Sequence, residues 1–381
     1  MDGKDLKKSK ILSNQKTGGR NMPYDWKASL SRFLNVLSGS KRIDKVPFFA
    51  LALEQMLTRI AGITVRTLQS SPKIYANAVI MVNEFLHSDI VALPTCYAGP
   101  AEGIAFAETN DCKQAIKWFD YRAPFIDQGV ICKTDEDIEN LKIPDHSKIR
   151  IWNTTFDAAK LLYERTQFPQ VVGLGIWSVI QQLRGVQAFR DIRENPEILL
   201  TLCEKIYESQ MDLYRTWVDR VGPSPFIFYP GYAFNRTMMS FQDAMKFEGQ
   251  YIKRMQKELG ISFILHNCGM DPYFNEVCQE IEFTAVNGSH PLDINYWIDF
   301  KKKFPKVTIM GATIDVNREI LYGTPEDVEN KVKENILNLA PGGRYMVSPI
   351  CELPWNAPLP NIMAISNAIE KYGTYPIEES K

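Results

Sequence analysis

The chain has 381 residues, 45% of them hydrophobic and 23% charged, a composition that excludes wholesale disorder. Lys and Arg number 44 and Asp and Glu 45, giving a formal net charge of −1, so the balance carries no signature of a nucleic-acid or anionic-membrane binder. Mean hydropathy is −0.22, and no apolar run approaches the ~20 residues of a spanning helix.

Residues 1–24 read as a mobile basic tail without an apolar signal core, and residues 25–381 read as one domain. Seven cysteines, an odd and scattered set at 96, 112, 132, 203, 268, 278 and 351, point to a reducing cytoplasm. Eight short apolar runs follow, each bounded by Gly, Pro or Asn: 46–51 (VPFFAL), 89–94 (DIVALP), 171–176 (VVGLGI), 226–229 (FIFY), 262–266 (SFILH), 283–288 (FTAVNG), 307–311 (VTIMG) and 345–349 (YMVSP). Each predicts a buried strand. Amphipathic stretches lie between them. Residues 240–259 space apolar residues every three or four and stop at Gly260; residues 324–339 open with Thr324, a Pro and two acids, which predicts a capped helix. Eight strands alternating with helices predict a (β/α)8 barrel, with an N-terminal extension. The stretch 96–170 is too long for one crossover and predicts an insertion after the second strand, holding short helices and a hairpin. No G-x-G-x-x-G or Walker A motif is present, which disfavours a doubly wound nucleotide-binding sheet.

Only four histidines occur. His87 and His146 read as surface or helix-end residues. His266 ends the fifth strand in HNCG, His290 follows the sixth in NGSHP, and Cys351 follows the eighth in VSPICELP. A barrel gathers all strand C-termini on one face, so His266, Cys268, His290 and Cys351 can meet there. Two thiolates with one or two imidazoles form a zinc-type ligand set. The alternative is that the cysteines are small core residues and His266 a hydrogen-bonded one.

The stretch from about Leu30 to Tyr372 resembles the uroporphyrinogen decarboxylase superfamily. The resembling motifs are SRFLNVLSGSKRIDKVP, GIWSVIQQLRG, SFILHNCG, GATIDVNREILYGTPEDV and SPICELPWNAPLPNIMAI. The resemblance implies a (β/α)8 barrel. The decarboxylases proper carry an arginine-rich loop after the first strand, whereas PFFALALEQML here has none. The corrinoid-linked methyltransferases of the superfamily carry His-x-Cys and a distant Cys as zinc ligands, which map onto His266, Cys268 and Cys351. Where relatives often place a carboxylate ligand, this chain has Ser289 and His290; His290 is then a fourth ligand or a substrate-contacting residue.

The resemblance implies an enzyme that moves a methyl group from a small methylated donor, a methoxylated aromatic being the best candidate, to a Co(I) corrinoid. No D-x-H-x-x-G corrinoid motif occurs, so the corrinoid is expected on a partner protein. Methyl transfer from methylcorrinoid to a thiol such as coenzyme M, decarboxylation of a porphyrin-like acid, and a non-catalytic scaffold with structural zinc are the alternatives. For substrate contacts, Tyr97, Trp177, Tyr229, Tyr232 and Trp355 follow strands and can form a stacking slot or pack the barrel top. Glu54, Gln181 and Arg184 are polar candidates, Arg184 pairing with a substrate carboxylate or with an acidic helix residue. Asp315 is read as an orienter of a ligand histidine or a local cap. No surface pattern separates a monomer from a homodimer.

Overall fold

Short β-branched and aromatic runs between amphipathic helices suit a parallel sheet buried on both faces. The computed structural model describes residues 24–40, 42–91, 93, 98–288 and 290–377, and it is a (β/α)8 barrel. The helix Trp26–Ser38 leads in and covers the N-terminal ends of the strands. Its Phe33 packs its ring 5.7 Å from Phe168 and 5.5 Å from Phe226, and burying such a side chain stabilises by roughly 1.5–3 kcal/mol.

The first two barrel positions, within 46–51 and 88–91, are extended segments held largely by side chains. Pro47 has no N–H to give. Asp89 Oδ2 accepts the Phe48 N–H at 2.9 Å, Ser88 Oγ accepts the Ala50 N–H at 3.3 Å, and the Asp89 N–H reaches Phe48 O at 2.8 Å. Asp89 is held in turn by Arg32 at 2.7 Å and Ser29 at 2.9 Å.

The insertion contains the helix Ala98–Thr109, a hairpin of β1 (Ile116–Lys117) and β2 (Phe125–Ile126), and a short helix Asp135–Glu139; the helix Arg150–Thr166 then leads back to the barrel. The rest of the wall is β3 (Val172–Gly173), β4 (Phe226–Pro230), β5 (Ser262–His266), β6 (Ala285–Gly288), β7 (Thr308–Gly311) and β8 (Tyr345–Met346), parallel and in that order. Phe48 pairs in parallel with Val347 to close the ring on one side. On the other side the buried Gln170 side chain bridges the gap, accepting the Leu93 N–H at 3.1 Å and donating to Val91 O at 3.0 Å.

The two helices expected from periodicity are present. Phe241 to Leu259 is helical, with a π-bulge at Met245–Gly249 and Gly260 in the left-handed conformation at φ +64°. The helix Pro325–Leu339 starts with a reciprocal cap between Thr324 and Asp327. No helix among the described residues is long and apolar enough to cross a membrane. Residues 1–23 and Tyr97 lie outside the described residues.

Candidate metal centre

His266 is the last residue of β5, in register with Pro230 on β4 and Asn287 on β6. Its Nδ1 stands 2.6 Å from Asn287 Oδ1. An amide oxygen only accepts, so Nδ1 carries the hydrogen and the Nε2 lone pair is left for an ion. Asn287 is itself buried and donates through Nδ2 to Met310 O at 3.0 Å. It was not singled out from the sequence; only the β5–β6 register shows that it faces the histidine.

The HNCG turn is fixed by its asparagine. Asn267 Nδ2 donates to Gly231 O at 2.9 Å and Phe234 O at 3.0 Å, while Oδ1 accepts the Gly269 N–H at 2.9 Å. Space is short beneath it: a Cβ on Gly288 would lie 2.5 Å from Asn267 O, so this crossing of strand ends requires glycine. On the far rim, the Ile350 N–H reaches Ile314 O at 3.2 Å. Gln55 grips the next residues, donating to Glu352 through its backbone N–H at 2.9 Å and Nε2 at 2.8 Å, and accepting the Trp355 N–H at 3.0 Å. Between these anchors sits Cys351.

The result is that one ligand atom each from His266, Cys268 and Cys351 lies within 4.8 Å of the other two. In a tetrahedral zinc site such atoms stand about 3.6–3.8 Å apart, from Zn–S near 2.3 Å and Zn–N near 2.0–2.1 Å. The set therefore fits a thiophilic divalent ion. The two sulfurs are hydrogen-bonded to each other: the bond from Cys351 lowers the pKa of Cys268, and the same bond, with burial, holds Cys351 well above the ordinary thiol range. A cation that takes both sulfurs must displace their protons.

Other residues predicted for the site fall in three places. His290 is half-buried and outside the three-residue cluster; burial lowers its pKa and the charge of Asp315 opposes that shift. Asp315 caps the following turn, accepting from the Asn317 N–H at 2.6 Å and the Arg318 N–H at 2.8 Å, and the orienter of His266 is Asn287 instead. Trp355 is 39% exposed and packs its ring 4.8 Å from Tyr121 of the insertion.

Trp177, Tyr229 and Arg184 are all buried. Tyr229 is wholly buried; its hydroxyl is 3.3 Å from Glu248 Oε1 and accepts the Ile176 N–H at 3.1 Å. Side chains alternate along a strand, so Phe228, one residue earlier, is the one that stacks on His266 at 5.5 Å. Phe49 meets Phe228 edge-on at 6.2 Å. Trp177 is buried against Phe189 at 5.5 Å. Arg184 is ion-paired with Asp191 and Asp135, both at 2.7 Å, so it ties the insertion to the barrel. His146, expected at the surface or at a helix end, opens the short 3₁₀ turn His146–Lys148 and is fully buried.

Glu54 starts the helix Glu54–Ala61 immediately after the first barrel segment. It is 4% exposed, Tyr75 Oη donates to its Oε1 at 3.4 Å, and Oε2 has no partner among the described residues. Burial, with the charge of Glu352, pushes its carboxyl up to about 8, so it keeps its proton at neutral pH.

The family model "Uroporphyrinogen decarboxylase (URO-D)" matches residues 28–372. The chain belongs to this family. Among solved structures it is similar to a methyltransferase from Methanosarcina mazei, with a TM-score of 0.73 at 18% identity, over 90% of this chain and 98% of that one. A B12-independent methionine synthase from Shewanella sp. W3-18-1 in complex with selenomethionine gives a TM-score of 0.40 at 16% identity, over 57% of this chain and 65% of that one. No curated protein matches.

Proposed function

We propose that this member of the uroporphyrinogen decarboxylase family is a zinc-dependent methyltransferase, taking methyl from a methoxylated aromatic donor to the Co(I) corrinoid of a partner protein. The observation that carries the reading is the meeting of His266, Cys268 and Cys351 at the strand ends. Zinc held there would supply a Lewis acid that stabilises negative charge on the donor oxygen as its methyl group departs.

The chain's own residues have separable tasks. Asn287 holds the His266 tautomer that leaves Nε2 free. Phe228 and Phe49 line the barrel beside His266 with apolar rings, which suits an aromatic ether and suits a polyanionic porphyrinogen poorly. No arginine occurs between positions 46 and 57, which also speaks against the decarboxylase chemistry of the family. Glu54 holds a proton on a buried carboxyl next to Gln55, the residue that anchors the Cys351 segment. The departing oxygen keeps the electron pair of the broken C–O bond, and in this reading Glu54 supplies its proton.

The test is single-turnover methylation of Co(I) corrinoid by methoxybenzoates, comparing wild type with Cys351→Ser. The proposal expects methyl–cobalt absorbance with wild type and none with the variant. Equal rates would remove the metal from the mechanism. For Glu54→Gln, the rate is expected to fall about 10²-fold or more with donors whose leaving group is a weak acid. The loss should shrink with nitro-substituted aryl methyl ethers, whose phenolates need no proton; a uniform loss across donors would assign Glu54 a purely structural role.

A further inference from the structure

Outside the barrel, between the insertion and the helices that follow the first strand segment, Arg66 and Arg150 line one pocket of about 280 Å³ together with Trp118, Gln69, Ile104 and Ile151. Buried or bridging arginines elsewhere meet carboxylates: Arg32 with Asp89, Arg184 with Asp191, Arg193 with Asp243. The guanidinium groups of Arg66 and Arg150 form no ion pair or hydrogen bond with any described residue. Arg66 is instead held over the Trp118 ring, 5.0 Å from its centroid. Glu108 is the one acid among the described lining residues, so the pocket is net positive.

A second, independent feature points to a ligand. Gln69 is 8% exposed and its Oε1 has no partner among the described residues. The same residue lines this pocket and a smaller cavity of about 30 Å³ shared with Glu54 and Tyr75. A buried amide without a partner costs free energy unless something fills the space beside it.

We infer that this pocket is a binding site, separate from the metal cluster, for a small aromatic carboxylate. Two guanidinium groups suit a planar carboxylate, which they can meet with paired N–H donors. Trp118, Ile104 and Ile151 provide an apolar wall for one ring, and Gln69 lines the same pocket. The volume is at the small end of ligand sites and suits a monocyclic molecule. The inference rests on the proposed function only for the choice among aromatic acids, since it assigns the donor's chemical class to this second site.

The experiment is calorimetric titration of 4-hydroxy-3-methoxybenzoate into the full chain, in wild type, Cys351→Ser and the double variant Arg66→Gln/Arg150→Gln. Circular dichroism and thermal midpoints establish that each variant is folded. A binding event shared by wild type and Cys351→Ser, weakened about 10-fold or more in the double variant and similarly weakened for the methyl ester, is the expected result. Undiminished binding to the double variant overturns the inference, as does the absence of saturable binding at millimolar acid. Displacement by inorganic phosphate at equal concentration would also overturn it, because the site would then recognise any anion. A protein that binds the acid through these arginines yet never methylates Co(I) corrinoid would sink the proposed function and leave this site standing.

Discussion

Asn287 decides which nitrogen of His266 faces the metal position. Removing it leaves the ring free to turn and to exchange tautomers, so Asn287→Ala is expected to weaken zinc binding about 10–100-fold, measured by competition with a chromogenic chelator. Asn287→Asp, which keeps the acceptor 2.6 Å from Nδ1, should retain most of the affinity; an unchanged affinity in the alanine variant would take the orienting role away from this residue. The thiol pair adds a pH dependence. Cys268 and Cys351 are hydrogen-bonded to each other, and both sulfurs must lose their protons to bind one ion. Zinc affinity should therefore fall as pH falls, with protons released on binding at neutral pH, countable by calorimetry in buffers of different ionisation enthalpy. A pH-independent affinity with no proton release would mean that the thiols are not the ligands.

At the scale of elements, two buried charge networks hold the insertion against the barrel. His146 Nε2 lies 2.8 Å from Glu102 and Nδ1 lies 2.7 Å from Asp212, while Glu102 also accepts from Trp152 at 2.9 Å and Ser209 at 2.9 Å. Burial opposes the imidazolium, but the two carboxylates outweigh it and raise the pKa to about 9. The folded value lies above the unfolded value of about 6.5, so this contribution is complete below pH 6.5 and is lost as pH rises through 9. The lost amount is on the order of 3 kcal/mol. Denaturant midpoints at pH 6, 8 and 9.5 should show the decline, and His146→Gln should flatten it; a wild-type profile already flat across that range would contradict the charged sandwich. Arg184 makes the other network. Arg184→Ala leaves the buried Asp191 uncompensated and should cost about 3–5 kcal/mol, read as a shift of the same midpoints, whereas a cost below about 1 kcal/mol would place the pair at the surface in effect.

For the whole molecule, alternation of apolar runs and helices made the barrel legible, because each run is a strand-length segment that only a two-sided burial can satisfy. What pattern could not show is how the ring closes: the first two segments are held by Ser88, Asp89 and Gln170 side chains, a substitution of side-chain for backbone bonds that leaves no periodic trace. The meeting of three ligand-type side chains was legible for a related reason, since strand-end position alone brings 266, 268 and 351 to one rim. Its surroundings were not. The aromatic beside His266 is Phe228 rather than Tyr229, a difference of one residue that alternation converts into the opposite face, and Asn287 becomes visible only with the β5–β6 register. The burial of His146 becomes visible only once the insertion is folded over it, whereas Arg184 meets an acidic helix residue, Asp191, as one of its two sequence readings had it. The most direct test of the account is zinc-edge X-ray absorption on the purified chain. It predicts one zinc per chain with two sulfur scatterers near 2.3 Å and nitrogen or oxygen near 2.0–2.1 Å, the sulfur shell falling to one in Cys351→Ser. A fully active protein without zinc, or zinc surrounded by nitrogen and oxygen alone, would contradict it.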